Sequence, residues 1–139
     1  MDSNDPPDPS DQSYQVQYYS RILKSYRVLD INLEALQQTL DLRNSDMQVF
    51  VVEMPVPNGY YYFFGNGKKD HEKFIQSVKA LTGKSAVPFW QTEPLDHIPG
   101  NGWSDYSHMN ITGAEVFSTW LGRQVAQGEL DGKLLGPRE

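Results

Sequence analysis

The sequence predicts an α/β domain in which parallel strands are flanked by helices. Two short apolar runs, at residues 48–54 and 85–90, are separated and flanked by segments with helical periodicity. This order of helix, strand, helix, strand, helix is the alternation that builds parallel sheets. A length of 139 residues with 38% hydrophobic side chains suits one soluble globular domain.

The first 13 residues, MDSNDPPDPSDQS, are expected to form a disordered acidic lead-in. They contain four Asp, no Lys or Arg, and only Met1 as an apolar side chain, which is too little to offset the entropy of ordering. The formal net charge is −6, but outside this segment 12 basic residues face 14 acidic ones, a balance of −2. A nearly neutral body without a basic stripe gives no footprint for nucleic acid or for anionic lipid.

Targeting and redox signals are missing from the sequence. It contains no run of 18 apolar residues, and its acidic, Pro-rich start is unlike a signal peptide, which is basic and then apolar. The chain is therefore expected to be soluble, with its compartment left open. The absence of Cys excludes disulfides, thiol catalysis and zinc bound by cysteine, and we expect neither a metal nor a cofactor.

Two helices are predicted before the first strand. Apolar residues recur at intervals of three and four from Tyr14 to Tyr26, and again from Leu33 to Leu40. Asp30 or Asn32 is a candidate N-cap for the second helix. Both apolar faces are interpreted as packing faces, with a tyrosine-lined substrate groove as the alternative for the first.

The run MQVFVVEMP predicts a central strand buried on both faces, stopped by Pro55. The loop after it carries five consecutive aromatic residues, at positions 60–64. These either pack the loop down, which we favour, or lie at the mouth of a site, since loops at the carboxyl ends of parallel strands bind ligands in α/β proteins.

A third helix is predicted over residues 70–81, with Gly83 as its C-cap glycine. His71 then lies on the flank of this helix and is interpreted as a flank residue, not a ligand. The second strand, within SAVPFW, contains Pro88, so it must be short or at an edge.

The last helix has a clear predicted start. Thr112 and Glu115 match a capping box, and Ile111 and Val116 match a hydrophobic staple. Gly113 and Ala114 keep the first turn small enough to lie close to a neighbour. The inward face is predicted to consist of Val116, Phe117, Trp120, Leu121 and Val125.

Asp105 and His108 lie in the loop that this helix anchors. Three residues of separation allow the carboxylate to hold one imidazole nitrogen, so that the other can accept a proton from a hydroxyl nucleophile. The simpler alternative is a turn in which Asp105 is a turn residue, His108 a surface ring and Asn110 a local cap. The longer string D-x-x-H-x-N-x-x-G-A-x-x-F favours a catalytic pair.

At these residues the chain resembles the C-terminal block of the SGNH hydrolases, the GDSL-type lipase and esterase superfamily, and is most similar to its DltD-like branch. The resemblance is carried by SDYSHMNITGAEVFSTWL and extends, in a more general form, over residues 14–127. It implies a partial three-layer flavodoxin-like fold, with His108 as the general base and Asp105 as its orienting acid. It also implies an ester or acyl substrate.

The nucleophilic serine and the oxyanion donors that this resemblance implies are missing. In the family the serine lies in a Gly-Asp-Ser-like turn after the first strand, and no serine of this chain follows such a signal. Ser104 and Ser107 flank the pair itself. Two strands also leave an open sheet edge. We therefore interpret residues 14–130 as the C-terminal half of an SGNH-like domain without its N-terminal strands, and residues 131–139 as a tail.

Three explanations of such a half-domain stay open. It is a fragment of a longer hydrolase or acyltransferase, a half completed by a partner chain or by self-association along the open edge, or a remnant that acts as a binding or structural module. A Gly-Asp-Ser motif encoded upstream in the same frame would indicate the first. A stop or a promoter there would indicate the others.

Overall fold

The computed structural model describes residues 5–8, 10–43, 47–92 and 98–130, which form a mostly helical structure with a small two-stranded parallel sheet. The α-helices are α1 (Tyr14–Leu23), α2 (Asp30–Leu40), α3 (Lys68–Lys84) and α4 (Ile111–Leu130). The strands are β1 (Val51–Val52) and β2 (Phe89–Trp90), and two 3₁₀ helices span Asn58–Phe63 and Gly100–Gly102.

The parallel pairing of the two strands confirms the predicted alternation. Val51 pairs with Phe89 and Val52 with Trp90. The strands can run parallel because α3 carries the chain from one to the other. Both are shorter than the predicted spans, and β1 is half-buried, so the prediction of a central strand buried on both faces is wrong. Pro55 lies shortly after β1, and Pro88 lies directly before β2. Because proline has no backbone N–H to donate, these positions leave little room for a longer ladder.

An aromatic cluster joins the first half of the chain to the loop before α4. Its buried members are Val16, Leu23, Phe63 and Tyr106, and Tyr19, Tyr26, Tyr60 and Phe64 pack against them. The aromatic run after β1 therefore forms a 3₁₀ helix that packs inward, as we favoured, although Tyr62 is exposed.

Helix α1 has two apolar stripes, and only one of them is buried. Val16 and Leu23 face the aromatic cluster. Tyr14, Tyr18 and Ile22 form a second stripe that is 77%, 37% and 42% exposed. The prediction that Tyr14, Tyr18 and Ile22 share one packing face with Leu23 is wrong, because intervals of three and four on a helix also generate a neighbouring stripe. We call the second set the exposed stripe of α1.

The predicted ends of α2 and α3 need correction. Asp30 is the first residue of α2, and the backbone amide of Asn32 donates to Leu29 O, so no side chain caps this helix. Helix α3 continues through Gly83 to Lys84. The left-handed position that a C-cap glycine normally takes is occupied by Ala86, with φ of 51°.

A second apolar cluster joins α4 to the loop before it. Ile98, Trp103 and Phe117 are buried together, and the partly buried residues packed against them are Val52, Met109, Val116, Trp120 and Leu121. The predicted inward face of α4 is thus confirmed for four of its members, and Val125 is half-buried. At the first turn the backbones nearly touch, since a Cβ on Gly113 would lie 2.1 Å from Gly102 O.

Asn110, not Thr112, caps α4. Asn110 Oδ1 accepts hydrogen bonds from the backbone amides of Thr112 (3.0 Å) and Gly113 (3.2 Å). The capping box and the staple are therefore wrong: Thr112 is already the second helical residue, and Ile111 is 77% exposed. The helix starts earlier because Asn110 N donates to Gly102 O, which fixes Asn110 beside the first turn.

Some predictions concern the two ends of the chain. The proposed tail at 131–139 and positions 1–4 and 9 of the lead-in lie outside the described residues. Burial, and then the charges of Asp11, Asp5 and Asp8, raise the pKa of the Tyr106 phenol. None of the helices in the described ranges has the length and apolar character needed to cross a membrane.

Replacement of the cap tests this account of the helix start. Asn110→Ala should lower the free energy of unfolding by about 1 kcal/mol, because it removes the acceptor for two amides of the first turn. Thr112→Ala is the matched control and should change the stability by less than about 0.5 kcal/mol. Urea denaturation measures both. A larger loss for Thr112→Ala than for Asn110→Ala would restore the capping box.

Candidate active site

The loop between β2 and α4 is closed by its own backbone. Trp103 and Met109 pair across an antiparallel bridge, and Ser104 N donates to His108 O at 2.8 Å. We call residues 103–110 the dyad loop. Its ends are joined, so the side chains of residues 105–108 are held at the tip of a short closed turn.

Tyr106 anchors this tip in the aromatic cluster. Its side chain is 3% exposed, and its ring meets Phe63 edge to face at 5.1 Å between centroids. Because Tyr106 points inward, its neighbours Asp105 and Ser107 are fixed on either side of the anchor.

Asp105 and His108 are in direct contact. His108 Nδ1 lies 2.9 Å from Asp105 Oδ2 and 3.0 Å from Oδ1. The backbone amides of Ser107 and His108 donate to Oδ1 at 2.7 and 2.8 Å. The structure therefore brings together the two residues that the D-x-x-H spacing singled out, and their catalytic role stays a prediction.

The pair has a buried side and an open side. The Asp105 side chain is 11% exposed, whereas that of His108 is 71% exposed. Nδ1 faces the carboxylate, and no hydrogen bond to Nε2 of His108 comes from any residue in the described ranges. A neutral imidazole whose Nδ1–H is bonded to a carboxylate presents Nε2 as a proton acceptor.

The hydrogen bonds around Asp105 favour its ionised form. Burial opposes ionisation, but the hydrogen bonds from the Ser107 amide, the His108 ring and the His108 amide outweigh it and lower the pKa of the carboxyl. An Asp105 that is ionised at neutral pH can stabilise an imidazolium at His108.

Neither neighbouring serine lies at the reactive nitrogen. Ser107 Oγ is 3.0 Å from Nδ1 of His108 and 3.3 Å from Asp105 Oδ1, on the carboxylate side of the ring. Ser104 contributes a backbone amide to the loop. Among the described residues, no serine hydroxyl is hydrogen-bonded to Nε2, so none is placed to act as a nucleophile at that nitrogen.

A second histidine–carboxylate pair was not found from the sequence. His71 Nε2 lies 2.5 Å from Glu53 Oε1, and the backbone amide of Thr92 donates to Glu53 Oε2 at 3.2 Å. All three residues are buried, so the interpretation of His71 as a flank residue is wrong. The available signal was a Glu directly after the apolar run VFVV.

The two pairs differ in what they can do. Glu53 follows β1 and Thr92 follows β2, so Glu53 and His71 join both strands to α3 at the carboxyl edge of the sheet. With side chains 7% and 9% exposed, this pair is closed to a substrate and fits a structural tie. The exposed ring of His108 makes the dyad loop the better candidate site.

Other features do not compete with it. A cavity of about 710 Å³ lies beside the first 3₁₀ helix and contains neither Asp105 nor His108; its wall consists of Asn58, Tyr61, Tyr62, Phe64, Gly67 and Lys68. Within the part of the chain that the structure describes, no group of three or more His, Asp or Glu side chains could hold a metal ion.

A scan against protein-family models, a search of curated proteins and a search of solved structures gave no match. A function for the chain therefore has to be inferred from its residues and their geometry.

Acidification should remove a stabilising contribution of Asp105. A carboxyl with a lowered pKa in the folded chain stabilises the fold above its ordinary value of 3.8, and this stabilisation is lost as the pH falls through the lower folded value. The stability difference between the wild type and Asp105→Asn should thus shrink below about pH 4. Urea denaturation at a series of pH values measures it. A difference that stays constant down to about pH 2 would contradict the lowered pKa.

Removing His71 from the buried pair should cost much more stability than removing an exposed partner such as Lys73. His71→Leu should lower the free energy of unfolding by about 3 kcal/mol, because it leaves a buried carboxylate without its ring partner. Adding Glu53→Gln should recover part of the loss, since the amide keeps an acceptor for Thr92 and carries no charge. Lys73→Ala is the control: the Lys73 side chain is 66% exposed, and its buried partner Asp70 keeps the hydrogen bonds from Asn66, so the loss should be less than about 1 kcal/mol. Thermal and urea denaturation give the comparison, and an equal loss for His71→Leu and Lys73→Ala would refute the tie.

Proposed function

We propose that the chain supplies the base pair of an SGNH-type serine ester hydrolase or O-acyltransferase, with Asp105 and His108 in that role and the nucleophilic serine outside this chain. The observation that carries the proposal is the arrangement of the dyad loop. A largely shielded carboxylate, with a lowered pKa, holds one imidazole nitrogen, and the ring itself is open to solvent.

The chemistry follows from this arrangement once a serine hydroxyl lies at Nε2 of His108. Nε2 accepts the hydroxyl proton while the serine oxygen attacks the ester carbonyl, and Asp105 stabilises the imidazolium that forms. The same proton then passes to the departing alcohol. In the second half of the reaction Nε2 activates water in a hydrolase, or an acceptor hydroxyl in a transferase, to release the acyl group.

The architecture supports the same proposal at a coarser level. A parallel strand pair joined by α3, with the dyad loop between β2 and α4, is compatible with the last part of a three-layer flavodoxin-like domain. In that assignment the missing strands extend the two-stranded sheet and bring the nucleophile and oxyanion donors.

The exposed stripe of α1 favours a second candidate function. Tyr14, Tyr18 and Ile22 present three large apolar side chains in a row, and Tyr14 and Tyr18 stack at 5.8 Å. Such a stripe suits contact with another polypeptide. A half-domain completed by a partner, or a non-catalytic binding module, would use this surface and would not need His108.

An ester-cleavage assay separates these functions. The chain alone should neither hydrolyse a short-chain aryl ester nor react with a fluorophosphonate, because no hydroxyl is placed at Nε2. When it is joined to a segment that carries the nucleophilic serine, in one polypeptide or as a second chain, cleavage should appear. It should fall by about 10⁴-fold in both His108→Ala and Asp105→Asn.

Ser104→Ala is the matched control, since it changes the dyad loop but not the pair, and it should keep full activity. Fluorophosphonate labelling of the lone chain at Ser104 or Ser107 would show that the nucleophile is present after all. Full activity of the joined protein without His108 would leave the binding-module function as the alternative.

A further inference from the structure

Helix α1 reaches the dyad loop with two polar side chains. Gln15 Nε2 donates to Asp105 Oδ2 at 3.0 Å, and the Tyr19 hydroxyl is hydrogen-bonded to Ser107 Oγ. Gln15 is 90 residues from Asp105 in sequence, so neither contact belongs to the local turn. Both lie on one face of α1, one helical turn apart.

We infer that Gln15 and Tyr19 are positioning residues that orient the Asp105 carboxylate toward His108. The catalytic meaning of this inference depends on the proposed function, whereas the orienting effect itself does not. Neither residue touches the substrate position, because both act on the carboxylate side of the imidazole.

The two oxygens of Asp105 are held by different parts of the chain. Oδ1 accepts the backbone amides of Ser107 and His108, which come from the loop itself. Oδ2, the oxygen nearer to Nδ1, accepts from Gln15. Donors on both oxygens restrict rotation of the carboxylate about its Cβ–Cγ bond, so α1 determines where Oδ2 points.

Tyr19 acts on Asp105 indirectly, through Ser107. The strongest acceptor within reach of the Ser107 hydroxyl is Asp105 Oδ1, at 3.3 Å. When the Ser107 proton points there, its oxygen is left to accept from the Tyr19 phenol. The resulting chain runs from Tyr19 through Ser107 to Asp105 and His108.

The Tyr19 hydroxyl is held in position because the ring that carries it is packed against other aromatic residues. The ring contacts Tyr60 and Phe63 at 5.6 and 5.5 Å between centroids. Val16 and Leu23, on the same helix, are buried in the aromatic cluster. A phenol whose ring packs against two aromatic neighbours loses little further freedom when it forms its hydrogen bond.

The test uses the chain alone and observes the ring nitrogens of His108 by nitrogen-15 NMR at alkaline pH, at which imidazole is neutral. In the wild type, the Nδ1–H tautomer should predominate. In the double variant Gln15→Leu/Tyr19→Phe, the ratio of Nδ1–H to Nε2–H tautomers should fall about fivefold, the effect of one typical hydrogen bond. Each single variant should give part of this change.

The controls remove the same groups from neighbouring positions of α1. Tyr18→Phe deletes a hydroxyl and Gln17→Leu deletes an amide that bonds to Gln12, and neither should change the tautomer ratio. In a Ser107→Ala background, Tyr19→Phe should lose its effect, because the connection is already cut. Melting curves verify that all variants are folded.

Each outcome has one meaning. A ratio that is unchanged or raised in the folded double variant overturns the inference. A lowered ratio in the lone chain, together with a joined protein that has no esterase activity, supports the positioning role and refutes the proposed function. If the joined protein is active, Tyr19→Phe should lower kcat and leave KM unchanged, since Tyr19 acts on the base and not on the substrate.

Discussion

The insertion of Tyr106 into the aromatic cluster is the constraint on which the candidate site depends. Its ring meets Phe63, and the same cluster holds Val16 and Leu23 of α1. One buried side chain thus connects the first helix, the 3₁₀ helix after β1 and the dyad loop. Asp105 meets its donor from α1, Gln15, because Tyr106 keeps the tip of the loop against that helix. If this ring were removed, the local turn could persist, but its register against α1 would be lost.

The molecule uses the same chemical pair in two environments. Glu53 with His71 and Asp105 with His108 are both carboxylate–imidazole contacts shorter than 3.0 Å. The first pair is enclosed at the carboxyl edge of the sheet, where it joins both strands to α3. In the second pair the Asp105 carboxylate is shielded and the His108 imidazole is exposed. Exposure of the ring, and not the presence of the pair, distinguishes a structural contact from a site that can exchange protons with a substrate.

The features that could be predicted from the sequence are local or periodic. The contact of Asp105 with His108 spans three residues, and a tight turn brings such residues together regardless of the rest of the fold. The parallel strand pair followed from the alternation of apolar runs with helical segments. Its short extent did not, because strand length depends on neighbours that the apolar pattern does not contain.

The wrong cap and the contacts that were not predicted have specific physical causes. Thr112 and Asn110 are both good capping residues, and the choice was made by a backbone hydrogen bond to Gly102, which no local signal reports. Glu53 meets His71 through the packing of α3 on the sheet, and Gln15 meets Asp105 across most of the chain. Contacts of this kind depend on tertiary packing, so the sequence pattern could name the dyad but not the residues that orient it.

The close approach of Gly102 and Gly113 has a consequence for how this sequence can change over time. A methyl group on Gly113 would enter the carbonyl of Gly102, and one on Gly102 would lie 2.8 Å from Ile98 Cγ2. A side chain at either position would push α4 away from the loop and move His108 with it. The two glycines should therefore be inherited together wherever the dyad is kept, and they should drift where it has been abandoned. Their joint presence should distinguish distant homologues that have an intact dyad loop from homologues that retain only the helices.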